Sequence, residues 1–253
     1  MSTLSAVVIT LNEERNITDC LNTVSWADER IIVDSGSSDS TVLLAQTLGA
    51  RVFTRPFTNY SDQKNFALAQ ATCDWVLSLD ADERVTPELA DEIKRAIADP
   101  GDAVGFYIPR LDRMLGRWMR HGLWWPQYKL RLIKSGSGQW QRDVHEVLVV
   151  NGPARHLQSP LLHYASDTIS QLVHRADRYT TMEAEAWHAA GIRPSLWKML
   201  LYPPGLFLYS YIWRRGLLDG MEGLILAMLM SYYTFLKRAK LWELNAHRCD
   251  EVS

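Results

Sequence analysis

The feature of this sequence that most restricts its fold is a regular alternation, over the first 110 residues, of short apolar runs and helical patterns. Runs such as LSAVVIT at 4–10 and RIIVD at 30–34 have the length and the Val and Ile content of buried strands. Between such runs, apolar residues recur at the spacing of an amphipathic helix. Strands that alternate with crossover helices form a mostly parallel sheet covered on both faces, so we predict an α/β fold.

The alternation predicts five strands and four helices before residue 110. Gly49 ends the second helix, and Pro87 is placed to begin the fourth. The predicted strands are LSAVVIT, RIIVD, ARVFT, DWVLSL and AVGFYIP, and the predicted helices cover 13–26, STVLLAQTLG, DQKNFALAQA and 87–98.

Polar residues follow the first, second and fourth predicted strands at the point where each strand ends. Ligands of open parallel sheets bind at these carboxyl ends. Taken singly, each group has a local explanation, because Asn, Ser and Asp also start or cap helices. Taken together, acids behind three different strands favour a ligand site at one edge of the sheet. The groups are Thr10, Leu11, Asn12 and Glu13; Asp34, Ser35 and Gly36; and Asp80, Ala81 and Asp82.

The acids of this edge suit a nucleotide bound with a metal ion. Asp34 is placed to accept hydrogen bonds from a base or ribose, and Gly36 allows a close backbone approach. The two-residue spacing of Asp80 and Asp82 lets both carboxylates converge on one point, where they repel unless a cation lies between them. Hard oxygen ligands select Mg²⁺ or Mn²⁺. The alternative is a solvated turn before a capped helix, since 86–88 reads Thr-Pro-Glu.

Other nucleotide-binding patterns are absent from the sequence. No GxGxxG follows the first strand, and no GxxxxGK[ST] occurs, so neither a dinucleotide fingerprint nor a P-loop is present. Residues 1–100 hold 8 Lys and Arg against 16 Asp and Glu, which argues against nucleic-acid binding there.

Three stretches carry a resemblance to a known family: VVITLNEERNI, IIVDSGSSDST and DQKNFALAQATCDWVLSLDADE. They resemble the nucleotide-sugar-binding half of family 2 glycosyltransferases with the GT-A fold, over about residues 4–110, in which a D-x-D element holds a metal-bound sugar diphosphate. The resemblance implies that Asp34 and residues 10–13 face the uracil and ribose of a UDP-sugar. It implies that Asp80 faces the ribose or sugar and Asp82 the metal. Lys64 would approach the nucleotide, the alternative being an exposed helix lysine.

The second half interleaves aromatic and basic residues, which suits a sugar or phosphorylated acceptor, and a core hairpin is the alternative. DVHEVL resembles a stretch of bacterial family members that build the lipopolysaccharide inner core, among them β-1,4-glucosyltransferases that act on heptose. We predict that Glu146 is the general base, with Asp143 as the reserve and His145 orienting Glu146 or touching the acceptor. His163 is either a packed side chain or an additional metal ligand.

The C-terminal residues predict a helical, amphipathic tail. A helix is expected from 167 to about 190, followed by uncharged stretches at 199–213 and 223–236 that fall short of the ~20 residues needed to span a bilayer. Residues 193–248 hold 8 Lys and Arg against 3 Asp and Glu. With recurrent Trp and Tyr, this composition favours peripheral binding to an anionic membrane, and the alternatives are a homodimer interface or a cap on the sheet.

We therefore predict a nucleotide-sugar-binding half at 1–110, an acceptor-binding half at 111–166 and a tail at 167–253. The resemblance implies an inverting transferase that moves a hexose, with glucose favoured, from a UDP-sugar to an inner-core sugar such as heptose. The alternatives are transfer to another glycolipid or a polyprenyl phosphate, a nucleotidyltransferase, and a non-catalytic nucleotide-sugar binder at the membrane. Three scattered cysteines and the lack of a signal-peptide pattern predict the cytoplasm, and the basic, apolar tail together with the resemblance predicts the cytoplasmic face of the inner membrane.

Overall fold

A computed structural model describes residues 2–142, 146–166 and 168–250 of the protein. The chain divides into two compact units. The first unit consists of Met1–Leu111 and Gln127–His163, and the second of Asp112–Pro126 and Tyr164–Ser253. The boundaries predicted at 110 and 166 remain predictions.

The strands form one ten-stranded sheet and a separate hairpin. The order along the large sheet is β3-β2-β1-β4-β8-β6-β12-β5, with β7 and β11 paired to β6, while β9 and β10 form the hairpin. The strands are β1 Leu4–Thr10, β2 Glu29–Asp34, β3 Arg51–Thr54, β4 Trp75–Asp80, β5 Glu83–Val85, β6 Gly105–Met114, β7 Arg117–Trp118, β8 Gln127–Lys134, β9 Gly138–Gln141, β10 Val147–Val150, β11 Ala154–His156 and β12 Leu161–Ser166.

The five strands predicted from the sequence, β1 to β4 and β6, all occur. Neighbours among β3, β2, β1 and β4 pair in parallel. Strand β8 pairs antiparallel with both β4 and β6, so β4 and β6 run in the same direction on either side of it. The predicted α/β class with a mostly parallel sheet is confirmed, and β8 is an antiparallel insertion that the alternation does not indicate.

Four helices belong to the first unit: α1 Ile17–Thr23, α2 Thr41–Thr47, α3 Tyr60–Gln70 and α4 Pro87–Ala98. Helix α1 is shorter than predicted, because Asn12 is left-handed and the carbonyl of Glu13 accepts from Asn16 and Ile17 in a turn. Thr86 caps α4 by accepting from the backbone N–H of Leu89, with proline in the first turn as the sequence indicates.

Helices cover both faces of the parallel strands. Alternate strand residues belong to two separate apolar clusters, because successive side chains of a strand point to opposite faces. Val8, with its neighbours on β2 and β4, packs with α1, α2 and α4. Val7 and its neighbours pack with α3 through Ala67. This double covering buries the strands and leaves their carboxyl ends to carry polar residues.

The second unit is mainly helical, as predicted. Its helices are α5 Ile169–Ala189, α6 Leu196–Leu208, a π-helix Tyr209–Trp213, a 3-10 helix Gly216–Asp219 and α7 Gly220–Asp250. Helix α7 packs against both α5 and α6. Among the helices within the described ranges, none is long and apolar enough to cross a membrane.

Candidate active site

Strand register brings three of the predicted polar groups together at one edge of the sheet. Thr10 at the end of β1 lies opposite Asp34 at the end of β2, and Ile9 lies opposite Asp80 at the end of β4. Parallel pairing therefore aligns the three carboxyl ends, as the sequence predicts. The loops that follow these strands form the candidate active site.

Asp34 organises the loop that follows β2. Its buried carboxylate accepts hydrogen bonds from Thr10 Oγ1 at 3.0 Å, from the backbone N–H groups of Gly36 at 2.9 Å and Ser37 at 2.8 Å, and from Ser37 Oγ at 2.5 Å. Gly36 has φ 98°, a conformation that favours glycine. Four internal donors thus engage the side chain that the resemblance places near uracil or ribose.

The loop after β1 is fixed to the loop after β2. Asn12 donates its backbone N–H to Ser37 Oγ at 2.8 Å, and its side-chain oxygen accepts from the backbone of Ser38 at 2.9 Å. Asn12 holds φ at 56°, which costs little for asparagine. Leu11 beside it is exposed. The two loops therefore present a joined rim, with an apolar side chain available to a ligand.

Glu13, on the same rim, is half-buried and lies in an acidic neighbourhood. Burial raises the pKa of Glu13, a hydrogen bond from Asn16 opposes this rise, and the nearby charges of Asp82 and Asp39 add to it. Glu13 on the loop after β1 and Asp82 on the loop after β4 are near enough for their charges to interact. A cation bound at Asp82 would lower this repulsion.

Asp80 is held by two buried cations. Lys64 Nζ lies 2.9 Å from Asp80 Oδ1, and Arg131 Nη2 lies 2.5 Å from Asp80 Oδ2. Arg131 also donates to Glu83 Oε1 at 2.7 Å, and Glu83 accepts the backbone N–H of Asp80. Burial alone would raise the pKa of Asp80, but Arg131 and Lys64 hold that pKa well below its usual range. Asp80 is therefore a fixed carboxylate.

Asp82 has a different partner. Its Oδ2 lies 3.3 Å from His163 Nε2, and the two side chains are 31% and 11% exposed. The pairing of β5 with β12, in which His163 lies opposite Glu83, brings this histidine to the turn that carries Asp82. Despite their two-residue spacing, Asp80 and Asp82 thus have different partners within the protein, and the metal role predicted for Asp82 and His163 remains a prediction.

The separation between Asp82 Oδ2 and His163 Nε2 is compatible with two ligands of one metal ion. Neighbouring ligand atoms in an octahedral site, each about 2.1 Å from Mg²⁺, lie about 3 Å apart, close to the separation observed here. In the part of the chain that the structure describes, no third His, Cys, Asp or Glu completes a cluster. Such a two-residue site fits an ion whose remaining ligands are water and substrate phosphate.

Lys64 connects Asp80 to Glu146, the predicted base. This buried lysine lies 2.9 Å from Glu146 Oε1 and 4.5 Å from the ring centre of Trp140. Asn65 hydrogen-bonds the backbone of Trp140 in both directions, which fixes β9 to α3. The alternative of an exposed helix lysine is wrong, because Lys64 is almost fully buried. Asp143 and His145 lie outside the described residues.

Sequence reasoning missed Arg131, Glu83 and Trp140 as members of this network. A signal for Arg131 existed: it interrupts the apolar run of β8, where an unpaired charge would be costly. The predicted site residues that the structure brings together are Asp80 with Lys64 and Glu146, Asp82 with His163, and Thr10 with Asp34. Ser35 Oγ accepts a hydrogen bond from Gln63 Nε2. The Ala81 side chain is buried in the apolar core.

Comparison with known proteins gives matches in sequence and in structure. Residues 5–152 match the model of glycosyl transferase family 2. A lipopolysaccharide core biosynthesis glycosyltransferase, LpsC of Rhizobium meliloti, is 32% identical over 252 residues, which cover 96% of this chain and 93% of that protein. An uncharacterized glycosyltransferase of Rickettsia typhi is 32% identical over 258 residues, which cover 97% and 88%. These relatives match along most of their length.

One similar solved structure is glucosyl-3-phosphoglycerate synthase from Mycobacterium tuberculosis, in complex with Mn²⁺, UDP and glucosyl-3-phosphoglycerate. It is 24% identical, with a TM-score of 0.38. The match covers 45% of this chain and 44% of that one, so this chain spans less than half of that structure.

Proposed function

The chain belongs to glycosyl transferase family 2, and from this premise we propose that it is a metal-dependent, inverting hexosyltransferase. The proposed donor is a UDP-sugar, UDP-glucose in the first instance, and the proposed acceptor is a lipopolysaccharide inner-core sugar such as a heptose. The observation that carries the proposal is the grouping, at one sheet edge, of an Asp82–His163 pair with Lys64, Asp80 and Glu146.

Asp82 and His163 would hold Mg²⁺ or Mn²⁺ through Oδ2 and Nε2. The bound ion would neutralise the diphosphate and stabilise UDP as it leaves. The part played by the protein would be to hold Asp82 Oδ2 and His163 Nε2 close together, 3.3 Å apart, for that ion. Strand pairing between β5 and β12 provides this arrangement without any contribution from Asp80.

The rim formed by the loops after β1 and β2 would bind the uridine. The Asp34 carboxylate accepts hydrogen bonds from the backbone N–H groups of Gly36 and Ser37, and Asn12 accepts a hydrogen bond that links the two loops. Thr10, Leu11, Glu13 and Ser35 lie on or beside these loops. A pre-formed rim loses little conformational entropy when it binds a nucleoside, which favours affinity. Asp34 would therefore act on the nucleotide largely through the loop that it shapes.

Glu146 would remove the proton from the acceptor hydroxyl as that oxygen attacks the anomeric carbon from the face opposite UDP. Lys64 Nζ lies 2.9 Å from Glu146 Oε1 and would orient this carboxylate. Lys64 also contacts Asp80, so the proposed base is tied to the loop that carries the donor-binding acids. Asp143 is kept as the second candidate for the base.

A lipopolysaccharide acceptor would place the protein at the cytoplasmic face of the inner membrane. The support is the name of the LpsC relative, together with the basic, aromatic-rich tail. Aromatic and basic residues between 113 and 142 supply ring faces and guanidinium groups suited to a sugar or phosphorylated acceptor.

The proposed function is tested by incubating the protein with a panel of UDP-sugars and Mg²⁺ or Mn²⁺ and measuring released UDP, with and without a purified lipopolysaccharide core acceptor. We expect UDP release from one UDP-hexose, accelerated by the acceptor. Release of pyrophosphate from a sugar phosphate and a nucleoside triphosphate would instead identify a nucleotidyltransferase. Binding of a UDP-sugar with no turnover on any acceptor would identify a binding protein.

A further inference from the structure

Helix α6 and the π-helix that follows it present one continuous apolar face to solvent. Several exposed apolar residues of this segment are spaced by three or four positions, the spacing that places side chains on one side of a helix, and Trp213 adjoins the last of them. Trp197 and Trp213, near the two ends, are 71% and 79% exposed. We name this the α6 face; its residues are Trp197, Leu201, Pro204, Leu208, Ile212 and Trp213.

The other side of α6 is already occupied within the same unit. Pro203 and Ser210 are buried, and the carbonyl of Pro203 accepts a hydrogen bond of 2.7 Å from Ser231 on α7. The helix therefore has one face packed against α7 and an opposite face that is apolar and exposed. Large exposed apolar surfaces of this kind mark sites of interaction with a partner or a membrane.

The charged residues within the segment that carries the α6 face are all basic. No Asp or Glu occurs from residue 186 to residue 218. Arg193, Lys198 and Arg215 form no ion pair with any residue that the structure describes, so their charges are available. Arg214 differs, because its guanidinium donates to the carbonyls of Gly122 and Trp125. The face thus combines apolar side chains with at least three uncompensated cations.

Three basic residues of α7 have partners within the same unit. Lys237 pairs with Glu183 at 2.9 Å, and Lys240 pairs with Asp177 at 2.6 Å. Arg238 lies over the ring of Tyr202, with 4.5 Å between its guanidinium carbon and the ring centre. Lys237 and Lys240 on α7 are therefore compensated by acids, whereas Arg193, Lys198 and Arg215 beside α6 are not.

We propose that the α6 face is a docking surface for an anionic phospholipid bilayer, with the helix lying in the plane of the interface. Trp side chains favour the headgroup level, and the apolar residues between them would enter the acyl boundary. The flanking cations would meet anionic headgroups. A second copy is a poorer occupant, because a self-complementary contact would bring these cations together with no acid to offset them.

The test is sedimentation of the full-length protein with vesicles of phosphatidylethanolamine and phosphatidylglycerol, compared with phosphatidylcholine alone. A Trp197→Ala/Trp213→Ala variant should partition at least about tenfold more weakly, because two exposed indoles no longer enter the interface. Lys198→Gln and Arg215→Gln should each weaken binding to the anionic vesicles about fivefold and leave phosphatidylcholine binding unchanged. No sugar substrate is needed, so the result is independent of the transfer reaction.

Trp242→Ala is the matched control, since Trp242 on α7 is 59% exposed but lies outside the α6 face. It should bind vesicles as the wild type does. The proposal would be overturned if wild type and Trp197→Ala/Trp213→Ala bound vesicles equally, or if the wild type did not bind at all. It would also be overturned if Trp242→Ala lost as much binding as the double variant. A dimer that dissociates in Trp213→Ala, without vesicle binding, would instead make the face an interface between copies.

Discussion

At the scale of single residues, the candidate site depends on two ion pairs that Lys64 and Arg131 form with the carboxylate of Asp80. Both cations are buried and both contact this carboxylate, so removing one partner leaves charge without compensation in a poorly solvated place. Asp80 therefore serves to fix the loop after β4. The neighbouring Asp82 is left with His163 as its only ion-pair partner among the described residues, and is available to a metal ion.

The depressed pKa of Asp80 leads to a prediction about stability and pH. A carboxyl group whose pKa is lower in the folded state stabilises the protein above its unfolded pKa of about 3.9, and this contribution is lost as the pH falls through the folded value. Asp80→Asn should cost about 1–3 kcal/mol near neutral pH, since its side chain is 30% exposed.

Urea unfolding of wild type and Asp80→Asn at a series of pH values checks this prediction. The difference in the free energy of unfolding should be constant from about pH 5 to pH 8 and should shrink below about pH 4. A difference that keeps its full size at pH 2 would mean that the ionised form of Asp80 is not what stabilises the loop.

A second prediction concerns Glu146 as the base. Glu146→Gln preserves the size of the side chain and can still hydrogen-bond Lys64, but it cannot accept a proton. Transfer to acceptor should fall by at least about 100-fold, while the Kd for the UDP-sugar, measured by calorimetry, stays within a few-fold of wild type. Glu88→Gln, at an exposed position of α4, is the matched control. Normal transfer by Glu146→Gln would move the role to Asp143 or elsewhere.

At the scale of elements, the long, strongly patterned segments could be predicted and the short ones could not. Strands β1 to β4 and helix α4 follow from periodicity and capping residues alone. Strand β5 has three residues, and it exists because Glu83 to Val85 pairs with β12 some 75 residues later in the sequence. No local pattern encodes such a pairing, so the spacing of residues could not predict that His163 approaches Asp82. The family resemblance could suggest it.

This strand pairing yields a prediction for His163. If β12 delivers His163 to the metal, His163→Ala should raise the Mg²⁺ or Mn²⁺ concentration for half-maximal UDP binding by about tenfold or more, without unfolding the strand. His156→Ala on β11 is a suitable control, because His156 stacks on Tyr107 and makes no contact with Asp82. Metal titrations followed by calorimetry make the measurement. Identical metal dependence in wild type and His163→Ala would remove the histidine from the site.

At the scale of the whole molecule, the N-terminal part of the chain is acidic and the C-terminal part is basic. In the proposed function each part has a different binding partner. The first 100 residues carry eight more acids than bases, whereas residues 193–248 carry five more bases than acids. An acidic donor site needs a divalent cation before it can accept a diphosphate, and a basic tail is attracted to an anionic bilayer. Composition could predict this division, but the ion pairs that compensate Lys237 and Lys240 on α7 could be seen only in the structure.

Above all, we propose that the protein transfers a sugar from a UDP-sugar through a metal ion held by Asp82 and His163. The most direct test is UDP release from UDP-hexoses by wild type and Asp82→Asn, each with Mg²⁺ or Mn²⁺ and again in EDTA. We expect metal-dependent release by the wild type, and a loss of at least about 100-fold in Asp82→Asn and in EDTA, because stabilisation of the leaving UDP is removed. Full activity in EDTA, or in Asp82→Asn, would contradict this mechanism.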